Sequence, residues 1–184
     1  MADFKSIIME GYYYCDRTGK IPLLETAKSQ LFIRPRRFGK SLVLSMLENY
    51  YDVAKKEAFD TLFGHLAIGA DPTKHRNAYF ILRWDFSCVD TTGSPAELKQ
   101  TLFNHLNVRM ENCIRYYRFN GYDLPDVTIN PDDALQTMES LLGAVRSTPY
   151  PIYLLIRGDP AVVCVCGKYA VFRVQKGTTD GQTS

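Results

Sequence analysis

The chain lacks the features that define three classes of protein. It has five cysteines in 184 residues, an odd number at scattered positions, so no disulfide framework is expected. It has no run of about 18 consecutive apolar residues, as a membrane helix would need, and no apolar stretch near its start like a secretory signal. Its net charge is only +2, which gives no global electrostatic reason to bind nucleic acid or a membrane surface. We therefore expect an intracellular protein whose basic character is local.

Residue types that form catalytic or metal sites are not grouped along the chain. The three histidines are far apart, which supports neither a metal site nor a Cys–His nucleophile. Three serines lack any setting like that of a catalytic triad: Ser45, Ser87 and Ser94. Cys164 and Cys166 are separated by a single residue, which is the wrong spacing for a zinc knuckle, so we interpret both as buried or free thiols.

What is present is the composition and pattern of a globular α/β domain. Apolar residues make up 46% and charged residues 23%, and the length suits one domain with its own core. Residues 30–33, 78–86 and 151–156 are apolar runs of strand length. Between them, apolar residues at helical spacing predict one helix after Gly39, with a stripe of Val43, Met46, Leu47 and Tyr50. A second, shorter helix is predicted from Phe59, Leu62, Phe63 and Leu66.

Two later helices are predicted from their starts. Ser94-Pro-Ala-Glu97 is a capping box with proline in the first helical position. Asn130-Pro-Asp-Asp133 is interpreted in the same way, and it opens a helix buried through Leu135, Met138, Leu142 and Val145. The order strand, helix, strand, helices, strand predicts a mostly parallel sheet flanked by helices.

The C-terminal part breaks this rhythm. We predict a main domain over residues 1–156 and a divergent segment over 157–184, with two short strands at 161–165 and 169–174. Residues 177–184 are expected to be a disordered polar tail. The aromatic segments Tyr12–Tyr14 and Tyr116–Phe119 are interpreted as core rather than as base-stacking platforms.

The strongest functional signal is the segment Arg34-Pro-Arg-Arg-Phe-Gly-Lys-Ser41 between a strand and a helix. Gly39 would let backbone N–H groups surround a phosphate, Lys40 would reach the outer phosphates, and the Ser41 hydroxyl would hold Mg²⁺. The first glycine of a usual phosphate loop is absent, and Arg34 takes its place. The alternative is a solvated loop, but three arginines so close together repel one another unless an anion lies among them.

Residues 4–87 resemble the AAA-ATPase-like family of P-loop NTPases, whose members are often joined to a C-terminal nuclease-like domain. The resemblance lies in motifs that follow in the family's order: Tyr14-Cys-Asp-Arg-Thr18, Phe32-Ile-Arg-Pro-Arg-Arg-Phe-Gly-Lys-Ser-Leu42, Leu44-Ser-Met-Leu47, Leu62-Phe-Gly-His-Leu66 and Asp85-Phe-Ser87. Arg-Pro-Arg-Arg-Phe is the family's normal form, so the missing glycine is a family feature.

The resemblance implies an ATP-binding P-loop in which Arg36, Arg37 and Phe38 join Gly39, Lys40 and Ser41, with Mg²⁺ bound by Ser41 through the nucleotide. Asp16 is expected to cap a turn rather than to take part in catalysis.

The resemblance fails where the family carries a second acidic site. Family members have Leu-Ile-Asp-Glu-Tyr-Asp at the end of a strand, and this chain has Leu155-Ile-Arg-Gly-Asp-Pro160. Arg157 replaces the magnesium-side aspartate, and Asp159 lies two residues later, about 6–7 Å along an extended strand. Later family elements are not seen after residue 157, so we expect a truncated or altered product or a short variant, with an open sheet edge beside the phosphate-loop strand.

Three functional hypotheses follow. The first is a nucleotide-binding module with a degenerate Walker B site, whose hydrolysis is impaired or absent. The second is an active ATPase that recruits Asp159 or Asp85 for magnesium. The third is a protein that binds nucleic-acid phosphates through the basic loop, against which the net charge of +2 argues. No feature of the sequence indicates a protein partner.

Overall fold

The computed structural model describes residues 3–27, 29–33, 38–89, 92–158 and 162–166. For Phe32, Cys88 and residues 162–166 it describes the backbone alone. The predictions for Arg34–Arg37, Asp159, the strand at 169–174 and the tail at 177–184 therefore lie outside the described residues.

The described chain alternates helices with short strands. The helices are α1 (Phe4–Met9), α2 (Ile21–Leu24), α3 (Lys40–Tyr51), α4 (Phe59–Phe63), α5 (Ala67–Ala70), α6 (Pro95–Phe119) and α7 (Ala134–Arg146). The strands are β1 (Ser29–Ile33), β2 (Phe80–Asp85), β3 (Ile152–Arg157) and β4 (Val162–Cys166). Three turns of 3₁₀ helix connect them, at Thr18–Lys20, Val53–Ala58 and Phe86–Cys88. No helix in the described part of the chain is long and apolar enough to cross a membrane.

The strands form one sheet in the order β1-β4-β3-β2. β2 and β3 are parallel, whereas β4 is antiparallel to both of its neighbours, β1 and β3. It follows that β1, β2 and β3 run in the same direction and that β4 runs against them. The α/β class with helices flanking a sheet is confirmed, and three of the four strands have the parallel orientation that the pattern predicts.

Helices cover both faces of the β2–β3 pair. On one face Ile81, Tyr153 and Leu155 pack in a cluster with buried residues of α1, α3 and α4. On the other face the alternate residues of β2 and β3 pack against α6 and α7. Burial on both sides explains why these strands appear in the sequence as continuous apolar runs.

Helix α6 begins as predicted. The Ser94 hydroxyl accepts a hydrogen bond from the N–H of Glu97, and the Glu97 carboxylate accepts one from the N–H of Ser94. The proline of the capping box occupies the first turn, where no N–H is needed.

Helix α7 begins later than the Asn130-Pro-Asp-Asp133 pattern predicts, so that assignment of the cap was wrong. Asp133 is the N-cap, and its carboxylate accepts from the N–H groups of Leu135 and Gln136. The Asn130 side chain instead closes a turn by accepting from the N–H of Asp132. Leu135, which lies in the first turn of α7 and was predicted to be buried, is 48% exposed.

Two other predictions also need correction. The helix predicted through Leu66 ends at Phe63, and Leu66 is buried in the segment that leads into α5. The aromatic segments only partly enter the core: Tyr117 is buried, but Tyr12 is exposed and Tyr13 is 94% exposed.

Candidate functional site

The predicted phosphate loop lies between the end of β1 at Ile33 and the start of α3 at Lys40. Of its residues, Phe38, Gly39, Lys40 and Ser41 are described. The structure thus places the second half of the predicted motif at a junction of strand and helix. Arg36 and Arg37, the other predicted binding residues, lie outside the described residues.

Gly39 gives this junction its shape. Its backbone is left-handed, with φ at 76° and ψ at 12°, and it is the N-cap of the 12-residue helix α3. The Gly39 carbonyl accepts the first helical hydrogen bond from the N–H of Val43 at 3.0 Å. Glycine has no side chain with which to cap the N–H groups of the first turn, and a helix start carries a partial positive charge. Such a helix start is suited to an anion.

No described residue other than its two chain neighbours approaches Gly39 closely. No atom of those other residues lies within 4 Å of the position that a Cβ on Gly39 would occupy. The next two residues, Lys40 and Ser41, are half-buried in the first turn of α3. Phe38, just before the glycine, is 63% exposed. The helix start is therefore accessible, with a lysine and a hydroxyl in its first turn.

The same edge of the sheet carries an ion pair that the sequence did not predict. Asp85 is the last residue of β2 and Arg157 is the last residue of β3, and the two are partners in the parallel register. The Arg157 Nη1 atom lies 3.2 Å from the Asp85 Oδ2 atom. The other carboxylate oxygen, Oδ1, accepts from both the N–H and the hydroxyl of Ser87. The signal for this pair in the sequence was that two apolar runs end in opposite charges, the earlier in Asp85 and the later in Arg157.

These contacts keep Asp85 ionised. Burial acts to raise its pKa, but the hydrogen bonds from Ser87 and the positive charges of Arg157 and Arg83 outweigh that effect and lower the pKa below its usual value. Both oxygens of the carboxylate therefore already have partners. The second hypothesis makes Asp85 a magnesium ligand of an active ATPase, and this role would require these contacts to be broken.

Asp16 has the capping role that the sequence predicts. Its Oδ1 atom accepts from the N–H and hydroxyl of Thr18, and its Oδ2 atom accepts from the N–H of Ala67 at the start of α5. The carboxylate thus links the N-terminal segment to α5. It has the contacts of a structural residue.

No group of three or more potential metal ligands occurs among the described residues, and the ligating side chains of Cys164 and Cys166 are not among them. A depression of about 540 Å³ lies away from the phosphate loop, at residues 118–126. There the Arg118 guanidinium is already bound to the carbonyls of Leu124 and Pro125 and to Asp126. These hydrogen bonds tie the end of α6 to the loop that follows it.

Comparison with known proteins identifies the family. A family model described as AAA-ATPase_like, Predicted AAA-ATPase, matches residues 1–158, which end just after β3. No curated protein and no solved structure matches the chain significantly.

Proposed function

The chain belongs to the predicted AAA-ATPase family, and from this premise we propose that it binds the phosphates of ATP at the start of α3. The observation that carries the proposal is the left-handed, exposed Gly39 at the N-cap of α3, which no described residue beyond its chain neighbours covers. This geometry lets a phosphate approach the backbone at the positive end of a helix.

In this proposal each residue of the loop has a distinct task. The N–H groups from Gly39 onward bind phosphate oxygens, and the Lys40 ammonium contacts the outer phosphates. Arg36 and Arg37 add positive charge around the loop, and Phe38 borders it. The Ser41 hydroxyl is the group of the loop that binds an Mg²⁺ ion when the nucleotide carries one.

Beyond Ser41, the described residues do not fit an ion held by the protein. Mg²⁺ usually takes one or two carboxylates in addition to phosphates and water. The carboxylate at the end of β2, Asp85, is engaged by Arg157 and Ser87. Hydrolysis also needs a carboxylate that orients the attacking water, and Gly158 stands where the family pattern has a glutamate. We therefore propose that the chain binds ATP and turns it over slowly or not at all.

Thermal denaturation with and without nucleotide tests the binding. Millimolar ATP is expected to raise the melting temperature of the full chain, while AMP, which lacks the outer phosphates, raises it less. Lys40→Ala is expected to abolish the ATP effect. Lys56→Ala removes an exposed lysine elsewhere and is expected to retain it. An equal response of the two variants would contradict the proposal.

Phosphate release tests the second half of the proposal. We expect the wild-type rate to match the Lys40→Ala background. Sustained release above that background would instead identify an active ATPase.

A further inference from the structure

The ion pair of Asp85 and Arg157 lies on the face of the sheet that carries α3. Along β2 and β3, alternate residues point to the same face. Ile81, Tyr153 and Leu155 belong to the cluster that contains α3, and Asp85 and Arg157 follow them in phase. Arg83, between Ile81 and Asp85, confirms the direction, because its Nη1 atom lies 3.0 Å from Glu48 of α3.

The pair also lies at the edge of the sheet from which the phosphate loop emerges. In the register, Phe32 of β1 pairs with Val163, Val163 with Arg157, and Arg157 with Asp85, so these residues form one row across the sheet. Strands are about 4.8 Å apart, which puts the Cα atoms of Phe32 and Arg157 about 10 Å from each other. β1 ends one residue after Phe32, at Ile33. A long side chain at position 157 therefore starts within reach of ligands held by the loop.

The described residues of this row offer no free carboxylate to a divalent cation. Within residues 38–89 and 92–158, the acidic group on this row is Asp85, and both of its oxygens have donors. Arg157 brings a permanent positive charge to the place where a carboxylate would otherwise hold Mg²⁺. A guanidinium can donate two parallel hydrogen bonds to phosphate oxygens, so it is itself a phosphate-binding group.

We propose that Arg157, held by Asp85, supplies the positive charge that a carboxylate-bound Mg²⁺ supplies in other P-loop sites, so that ATP binding by this chain does not require a divalent ion. The inference rests on the proposed function. It adds that ATP binds equally well with and without Mg²⁺ and that Arg157 is a binding residue of the site.

Calorimetric titration of the full chain with ATP, in EDTA and in excess Mg²⁺, tests this inference. The wild-type dissociation constants in the two buffers are expected to agree within about threefold. Arg157→Gln is expected to weaken metal-free binding on the order of tenfold or more, the scale of one lost charge-assisted phosphate contact. Arg83→Gln is the control. It removes an arginine from the same face of the sheet, two residues before Asp85 in β2, and is expected to keep the wild-type affinity.

The outcomes separate the two proposals. If the wild type binds ATP in neither buffer, the proposed function fails. Should it bind ATP only with Mg²⁺, the proposed function stands and this inference is overturned. Equal affinity of Arg157→Gln and Arg83→Gln in EDTA also overturns it.

A second variant covers the case in which Arg157→Gln does not fold. Asp85→Asn keeps the arginine and removes a negative charge, so metal-free ATP is expected to bind at least as tightly as to the wild type. Weaker metal-free binding by Asp85→Asn would count against the inference.

Discussion

At the scale of single residues, Gly39 and Gly143 have similar surroundings but different backbones. Apart from chain neighbours and the backbone of the same helix, no described atom lies within 4 Å of a Cβ built at either position. Gly39 has a φ of 76°, whereas Gly143 lies inside helix α7. Left-handed backbone costs an L-residue roughly 1–2 kcal/mol, and a glycine inside a helix costs about 0.5–1 kcal/mol relative to alanine.

Alanine at the two positions should therefore change stability in opposite directions. We expect Gly39→Ala to lower the free energy of unfolding by about 1 kcal/mol. We expect Gly143→Ala to raise it by about 0.5–1 kcal/mol. Urea denaturation of both variants measures the difference, and a stabilising Gly39→Ala would show that the loop does not need a left-handed residue.

Asp52 is a buried carboxylate whose titration affects stability. It is 2% exposed and accepts hydrogen bonds from the N–H of Ala54 and the hydroxyls of Tyr116 and Tyr117. Burial raises its pKa more than Lys55 and these donors lower it, so the net shift is upward. A carboxyl with a raised folded pKa contributes stability that is complete below its unfolded pKa and is lost as pH rises through the folded pKa.

The comparison with Asp52→Asn isolates this group. As pH falls from 7 toward 4, the wild type is expected to gain stability relative to the variant, by about 1.4 kcal/mol for each unit of pKa shift. Other acidic groups titrate in both proteins and cancel in the difference. Urea unfolding at a series of pH values provides the measurement, and a relative loss of wild-type stability on acidification would contradict the upward shift.

At the scale of elements, the start of α7 is determined by one of several possible capping residues. Asp133 caps two N–H groups of the helix, while Asp132, one residue earlier, has its N–H bound to Asn130. We expect Asp133→Ala to lower the free energy of unfolding by about 1 kcal/mol. Asp132→Ala should change it by less than about 0.5 kcal/mol. The reverse order in chemical denaturation would show that Asp133 is not the residue that caps α7.

The helices show how far the sequence predicts the elements. α6 was predictable because its capping box and its proline indicate the same starting residue. α7 was not, because Asn130, Asp132 and Asp133 are all good caps, and their choice depends on contacts with other elements. One of these is the hydrogen bond from the Asn107 side chain to the Asn130 carbonyl. The buried face of α7 includes Ala134 and Leu141, and Leu135 lies beside it, which the apolar pattern alone did not distinguish.

At the scale of the whole molecule, the sheet depends on β4. The sequence predicts an open sheet edge beside β1, the strand before the phosphate loop. In the structure Val162–Cys166 occupies this place and pairs with β1 on one side and β3 on the other. Its antiparallel direction could not be predicted from local pattern, because a short apolar run has the same periodicity in either direction. The Asp85–Arg157 pair was not predicted either, because opposite charges at two strand ends form an ion pair only when the register of β2 and β3 brings them together.

A central strand tolerates proline poorly, since proline cannot donate a ladder hydrogen bond. Val163→Pro is therefore expected to lower the free energy of unfolding by about 1–3 kcal/mol, because a carbonyl of the ladder loses its donor. In hydrogen exchange of the wild type, the amides of β4 should be protected as well as those of β3. Rapid exchange throughout residues 162–166 would show that this segment does not join β1 to the rest of the sheet.

The central claim concerns the whole site, in which the carboxyl edge of the sheet presents the start of α3 to a polyanion. Amide chemical shifts recorded by ¹H–¹⁵N NMR during a titration with ATP test it most directly. The amides of Gly39, Lys40 and Ser41 are expected to show the largest shifts, because phosphate oxygens accept their hydrogen bonds. If these three signals stay in place at millimolar ATP, or if the shifts cluster elsewhere, the phosphate-binding account is wrong.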